Sequence, residues 1–204
     1  MYLSRLILNP RNRQVRSELA CPYEMHRTLA HAFAEDYADD RVLYRVDVEC
    51  RTGVPTVLVQ SLTEPDWSVL PDDRYLLEPA DSKSFALGLS EGQLLSFRLR
   101  ANPVKRENQS RQRQGLLQEE DQREWFDRQG ERCGFQVVRC HVIPEGLQEF
   151  MRRSNGDERK VTLLSVRFEG LLQVTDPDAL SGAVSDGIGP AKAFGFGLLS
   201  LARA

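Results

Sequence analysis

Apolar and polar positions alternate along residues 2–8, with Tyr2, Leu6 and Leu8 set against Ser4 and Arg5. A period of two predicts a first strand, which Asn9-Pro10 stops. The spacing changes at Cys21-Pro22. Met25, Leu29, Ala32 and Phe33 recur at helical intervals, so a helix is expected over 22–37, with proline at its first position and Glu24 in its first turn. Strands are expected at Val42–Cys50 and Pro55–Leu62, joined by a hairpin turn at Arg51-Thr52-Gly53. Residues 64–81 are rich in proline and acids and read as loop, and Ser84–Leu89 is placed to complete a sheet.

The second half repeats this order of elements without repeating its sequence. Leu94–Ala101 reads as a strand, and a helix is expected over Leu116–Gln129 with Leu116, Leu117, Trp125 and Phe126 as its core residues. Phe135–Ile143 and Val161–Val174 are strand-like, separated by a long connection at Pro144–Lys160. Asp176-Pro177 caps a short helix, and Phe196–Ala202 reads as the last strand. The order predicts an α+β fold of two tandem ferredoxin-like (RRM-like) domains, residues 1–90 and 91–204, the first with a weak second helix.

Composition narrows the class. The chain has 204 residues, 41% hydrophobic and 28% charged, as expected of an ordinary globular protein. No apolar run approaches the ~20 residues of a membrane span, so no membrane association is expected. Met1–Leu8 is too short and too charged for a signal peptide, which predicts a cytoplasmic protein. The four cysteines (Cys21, Cys50, Cys133 and Cys140) have no zinc-like spacing, so free thiols, no metal and no cofactor are expected. A net charge of −3 argues against a generic polyanion binder. The bases are nonetheless grouped: Arg98, Arg100, Lys105, Arg106, Arg111 and Arg113 in one segment, Arg152, Arg153, Arg159 and Lys160 in another. Each group is either a solvated surface or a local phosphate-binding face.

Two features carry candidate chemistry. Tyr23 and His26 stand at i and i+3 in the first turns of the expected helix, about 5–6 Å apart on one face, where the helix dipole favours a phosphate. Histidine there can move a proton and tyrosine can orient or donate to the reacting group; an exposed surface histidine is the alternative. The second feature is Gly187, Gly189, Gly195 and Gly197 around Lys192. Four glycines in eleven positions let another backbone or a phosphate approach closely, or mark only a flexible turn. Walker A, dinucleotide and RRM motifs all fail on these residues. Gly130 is expected to be exposed. His31 is expected at the surface, His141 in a packed or hydrogen-bonded position, and Trp67 and Trp125 in the core.

The glycine segment meets every fixed position of the G-x-G-x-x-K-x-x-G-[FY]-G loop of the RAMP superfamily, the RNA-handling proteins of CRISPR systems. Met1-Tyr2-Leu3-Ser4-Arg5-Leu6, Tyr23-x-x-His26-Arg27-x-Leu29 and Arg98-x-Arg100-Ala101-Asn102-Pro103-Val104-Lys105 precede it in order. Over its whole length the chain therefore resembles the CasE family of type I-E CRISPR repeat endoribonucleases. The resemblance implies metal-independent cleavage of CRISPR precursor RNA at the base of the repeat hairpin, leaving 5′-hydroxyl and 2′,3′-cyclic phosphate ends. It also implies that the mature crRNA is retained with the other Cascade subunits. His26 and Tyr23 correspond to the family's catalytic pair, with His26 as base or acid left open. Arg27 beside them, the basic residues Lys105, Arg106, Arg111, Arg113, Arg152, Arg153, Arg159 and Lys160, and Lys192 in the loop are the expected RNA contacts. A non-catalytic RAMP scaffold and a ferredoxin-like domain binding a small anion are the alternatives; His26 opposes the first and the two basic segments oppose the second.

Overall fold

The structure is a computed structural model that describes residues 1–33, 41–71, 73–106, 113–154 and 157–204, with the backbone alone at 153, 154 and 157. Arg111 and residues 34–37 of the helix expected over 22–37 lie outside the described residues, and the helix that forms ends earlier than expected, at Ala30. Two compact units divide the chain. One comprises Met1–Ala86, Phe150–Lys160 and Lys192–Gly195; the other comprises Leu87–Glu149, Val161–Ala191 and Phe196–Ala204.

The first unit contains β1 (Tyr2–Ile7), α1 (Arg13–Ala20), α2 (Pro22–Ala30), β2 (Leu43–Val48), β3 (Pro55–Ser61) and β4 (Asp81–Ser84). Its antiparallel sheet has the order β2-β3-β1-β4, with Leu6 opposite Val57 and Ser4 opposite Ser82. Leu6, Leu8, Val15, Met25, Leu29, Val57 and Val59 form the core. Among the described residues between β3 and β4 the only helical element is a 3-10 turn at Trp67–Val69, in keeping with the weak second helix expected there.

Helix α1 was not legible in the sequence, because few of its eight residues are apolar. Its start is fixed locally: the Asn12 side chain accepts from the amides of Gln14 and Val15, a normal N-cap. Its inner face carries a carboxylate. Buried Glu18 accepts hydrogen bonds from Gln14, Thr28 and Tyr75, the satisfaction a buried polar group requires. Burial and the Glu18 bond together push the Tyr75 hydroxyl well above the usual phenol range.

The second unit contains β5 (Leu94–Ala101), β6 (Val104–Arg106), β7 (Arg113–Gly115), α3 (Glu119–Arg132), α4 (Pro177–Asp186), β10 (Leu199–Arg203) and most of β8 (Phe135–Ser154) and β9 (Asp157–Val174), whose stretches within Phe150–Lys160 belong to the first unit. Its four-stranded sheet is ordered β10-β5-β9-β8. In both units the first strand lies centrally beside the third and fourth, the ferredoxin-like order. Aromatic packing fills the second core: the Phe126 ring lies 5.1 Å from Phe97, 5.5 Å from Phe135 and 4.9 Å from Phe168, within the usual range for aromatic pairs.

Several expectations need correction. Residues 144–160 are not a connecting loop: β8 continues to Ser154 and β9 begins at Asp157. Met151, Arg152, Glu158, Arg159 and Lys160 are all exposed and Phe150 is the one buried apolar side chain described in 144–160, so no apolar alternation reveals a strand. The edge strand β4 is Asp81–Ser84, not 84–89, and all four of its residues are exposed. Helix α3 begins at Glu119, leaving Leu116 buried before it and Leu117 exposed. Gly130 is buried, and a Cβ there would meet the Phe135 carbonyl at 2.6 Å. His141 is exposed on β8. No described helix is long and apolar enough to cross a membrane.

Candidate active site at the start of helix α2

Cys21 ends α1 and begins α2, with Pro22 in the first turn and no side chain capping the new helix. The positive end of that helix is therefore open to an anion. The Cys21 thiol donates to the Met151 carbonyl at 3.6 Å, joining this helix start to the backbone of β8 near Arg152.

Tyr23 and His26 both project from the first two turns and both are half-buried. The Arg152 guanidinium lies over the Tyr23 ring, 4.9 Å from its centroid, close enough for a cation–π contact. Phe194, in the 3-10 turn Lys192–Phe194, lies 6.4 Å from the same ring and 5.2 Å from Phe150. Tyr23 is thus held between the end of β8 and the glycine-rich loop.

His26 has a different neighbour. Its imidazole stacks on Tyr44 of β2, 6.3 Å between centroids at 17°. The Tyr44 hydroxyl donates back to the Pro22 carbonyl at 2.6 Å. His26 Nδ1 is buried and has no hydrogen-bond partner. Burial lowers the pKa of His26 below the ordinary histidine value, because desolvation penalises the charged form.

One of the loop glycines, Gly195, meets this arrangement directly. Gly187, Gly189, Gly195 and Gly197 all have positive φ, a conformation other residues adopt at a cost. A Cβ on Gly195 would come 3.1 Å from Tyr44 Cε2, and one on Gly189 would come 3.1 Å from Trp125. The Gly197 amide donates to the Arg100 carbonyl at 2.8 Å, leading the chain into β10.

The basic residues fall into distinct settings. Arg152 is at the Tyr23 ring, while Arg27 is exposed and paired with Glu24 at 3.1 Å. Lys105 and Arg106 on β6, Arg113 on β7, and Arg159 and Lys160 on β9 are exposed, and Lys192 is half-buried at the head of its turn. The Arg153 side chain lies outside the described residues. Arg98 and Arg100 belong to an ion-pair lattice on the second sheet: Arg98 with Glu169 at 2.6 Å, Arg100 with Glu145 at 2.6 Å, and Arg167 with both acids. Burial alone would raise the Glu145 pKa, but Arg100, Ser165 and Arg167 outweigh it and hold the carboxyl below its ordinary value. Among the described residues no group of three or more His, Cys, Asp or Glu side chains could hold a metal ion.

Tyr44, Phe150 and Phe194 were not singled out from the sequence. Tyr44 reads there as one more apolar position of a strand, and only the spatial neighbours distinguish it. Phe194 carried a signal, since it lies inside the glycine segment.

Two ferredoxin-like units, a tyrosine–histidine pair at a helix start and a glycine-rich loop packed beside it define a RAMP-type architecture. Residues 1–203 match the family model described as CRISPR associated protein, and the chain belongs to that family. It is 39% identical to the CRISPR-associated endoribonuclease Cse3 of Thermus thermophilus, with 99% of this chain and 100% of that protein covered. It is 33% identical to the CRISPR system Cascade subunit CasE of Escherichia coli, with 99% of each covered. A solved structure of CRISPR endoribonuclease Cse3 bound to a 19-nucleotide RNA superposes with a TM-score of 0.90 at 36% identity, covering all of both chains.

Proposed function

We propose that this protein is a CRISPR endoribonuclease that cuts precursor RNA at the base of the repeat hairpin without a metal and retains the mature guide RNA in Cascade. The observation that carries this reading is the grouping of Tyr23, His26 and Arg152 at an uncapped helix start. Full-length similarity to an endoribonuclease and to a Cascade subunit supports the substrate class and the partners.

Attack of a 2′-hydroxyl on the neighbouring phosphorus needs a proton acceptor, a proton donor to the departing 5′-oxygen, and compensation of phosphoryl charge. His26 is suited to the first role. Its depressed pKa keeps the ring neutral at pH 7, with Nε2 able to take the 2′ proton. Tyr23 hydrogen-bonds the scissile phosphate and donates toward the 5′-oxygen. The O2′–P bond forms as the P–O5′ bond breaks, giving a 2′,3′-cyclic phosphate and a 5′-hydroxyl. Arg152 shifts from the tyrosine face to the phosphate, where its planar fork fits two oxygens, and Arg27 supplies a second cation nearby.

Arg152, Arg153, Arg159 and Lys160 on the β8–β9 hairpin track the stem, and Lys105, Arg106, Arg111 and Arg113 on and between β6 and β7 contact further backbone. Such contacts read shape more than sequence, because A-form RNA hides its base edges. Lys192 and the four loop glycines hold the platform behind the pair and approach the RNA backbone. Incubating the purified protein with a labelled CRISPR repeat hairpin in EDTA tests the reading. A single cut with a cyclic phosphate end is expected; an intact hairpin, or cleavage only with divalent ion, overturns it.

A further inference from the structure

The loop between β1 and α1 carries a concentration of positive charge separate from the α2 site. Arg11, Arg13 and Arg74 line a cavity of about 740 Å³ together with Asn9, Asn12 and other neutral polar side chains, and no carboxylate or apolar side chain lines it. In an acidic chain, such a lining does not follow from general basicity. Neither Arg11 nor Arg13 has an ion-pair partner among the described residues.

The framework beneath these arginines is tied in place. Asn9 donates to the Arg74 carbonyl at 3.0 Å and accepts from the Arg11 amide at 3.0 Å. Its own amide donates to the Tyr75 carbonyl at 2.9 Å. Arg16 donates to the carbonyls of Pro10 and Arg11, at 3.3 and 2.6 Å. The Asn12 side chain occupies two amides of the helix start, so the guanidinium groups rather than the helix end supply the attraction.

We propose that this cavity binds phosphates of the RNA backbone outside the reaction site. Guanidinium forks match phosphate oxygens, and three arginines with neutral polar neighbours and no carboxylate suit a negatively charged chain. The volume is of the size that holds a small-molecule ligand, larger than one phosphate needs, so it admits a stretch of backbone. The cavity opens at the start of α1 and reaches Ser17, one turn before Cys21, and none of its lining residues is one that touches the Tyr23 or His26 ring. The assignment to RNA rests on the proposed function.

The test compares the parent with Arg11→Gln/Arg13→Gln/Arg74→Gln, and with Arg51→Gln/Arg128→Gln/Arg132→Gln as an equal change of charge elsewhere. Binding of a 2′-O-methyl CRISPR repeat hairpin, which cannot undergo transesterification, is measured over a range of salt. The cavity variant should lower the slope of log K against log salt by about 0.7–0.9 per lost phosphate contact, while the control variant keeps the parent's slope. An unchanged slope in the cavity variant, or equal losses in both variants, overturns the proposal. Calorimetric titration with inorganic phosphate and with adenosine monophosphate separates the sources. Saturable mononucleotide binding that the cavity variant abolishes, with RNA binding intact, assigns the site to a free phosphate ligand instead. Failure of the cleavage reading is visible separately, as a parent that binds the unmodified hairpin but leaves it intact; a parent that binds no RNA overturns both.

Discussion

The imidazole of His26 lies nearly parallel to the ring of Tyr44, with 6.3 Å between centroids and 17° between planes. Tyr44 is itself anchored to the Pro22 carbonyl by its hydroxyl, and Gly195 lies so close to its ring that a Cβ there would come 3.1 Å from Tyr44 Cε2. One aromatic ring on β2 therefore connects the histidine, the first turn of its own helix and the glycine-rich loop.

Removing the proton-transfer group should separate binding from chemistry. His26→Ala is expected to lose about 10²–10⁴ in single-turnover cleavage rate while still binding the repeat hairpin. Full activity in this variant would remove His26 from the mechanism.

The pH dependence has a definite sign. Burial lowers the His26 pKa from 6.5, so the ring is neutral at pH 7 and gains its proton only at more acidic pH. As proton acceptor it should give a cleavage rate that rises with pH through a midpoint below about 6.5 and then levels. Tyr44→Ala exposes the ring and should move the midpoint up; Tyr44→Phe keeps the stack and should leave it nearly unchanged. Proton NMR titration of the His26 ring in each protein checks this, and equal midpoints in all three contradict the role of Tyr44.

Arg152, Arg153, Arg159 and Lys160 are predicted to meet phosphates. Replacing all four with alanine should weaken hairpin binding and reduce its salt dependence by about 0.7–0.9 per contact. Arg152→Ala alone should also slow cleavage, since it takes the cation from the Tyr23 ring. If the fourfold variant binds with the parent's affinity and salt slope, these side chains are only solvated.

Gly195→Val places a side chain at φ +82 and against Tyr44 at 3.1 Å. The backbone conformation alone costs about 1–2 kcal/mol, which corresponds to a Tm lower by roughly 2–4 °C per kcal/mol. Cleavage should fall further than the remaining folded fraction explains. Gly88→Val is the proper control, since a Cβ at Gly88 meets nothing within 4 Å and its φ is ordinary. Circular dichroism and cleavage measured together distinguish a structural loop from one that also contacts RNA.

Sequence alone determined the elements with a buried face. Tyr2–Ile7 and Leu94–Ala101 are legible because burial imposes a period of two on apolar residues, the helix after Asp176 because its cap residues are local, and the repeated strand–helix–strand order then leads to the ferredoxin-like topology. The Tyr23/His26 pair and the glycine segment were also visible, since both are local spacings. Only the tertiary structure disclosed α1, whose inner face carries the Glu18 carboxylate beside Val15 rather than a longer apolar stripe, and the largely exposed ends of β8 and β9, where Phe150 alone is described as a buried apolar side chain. It alone brought Arg152, Phe150, Phe194 and Tyr44 to the helix start, because cross-strand and loop contacts join residues far apart in the chain. A histidine's proton affinity follows from what surrounds it in space, and for His26 that is burial beside a ring eighteen positions along the chain.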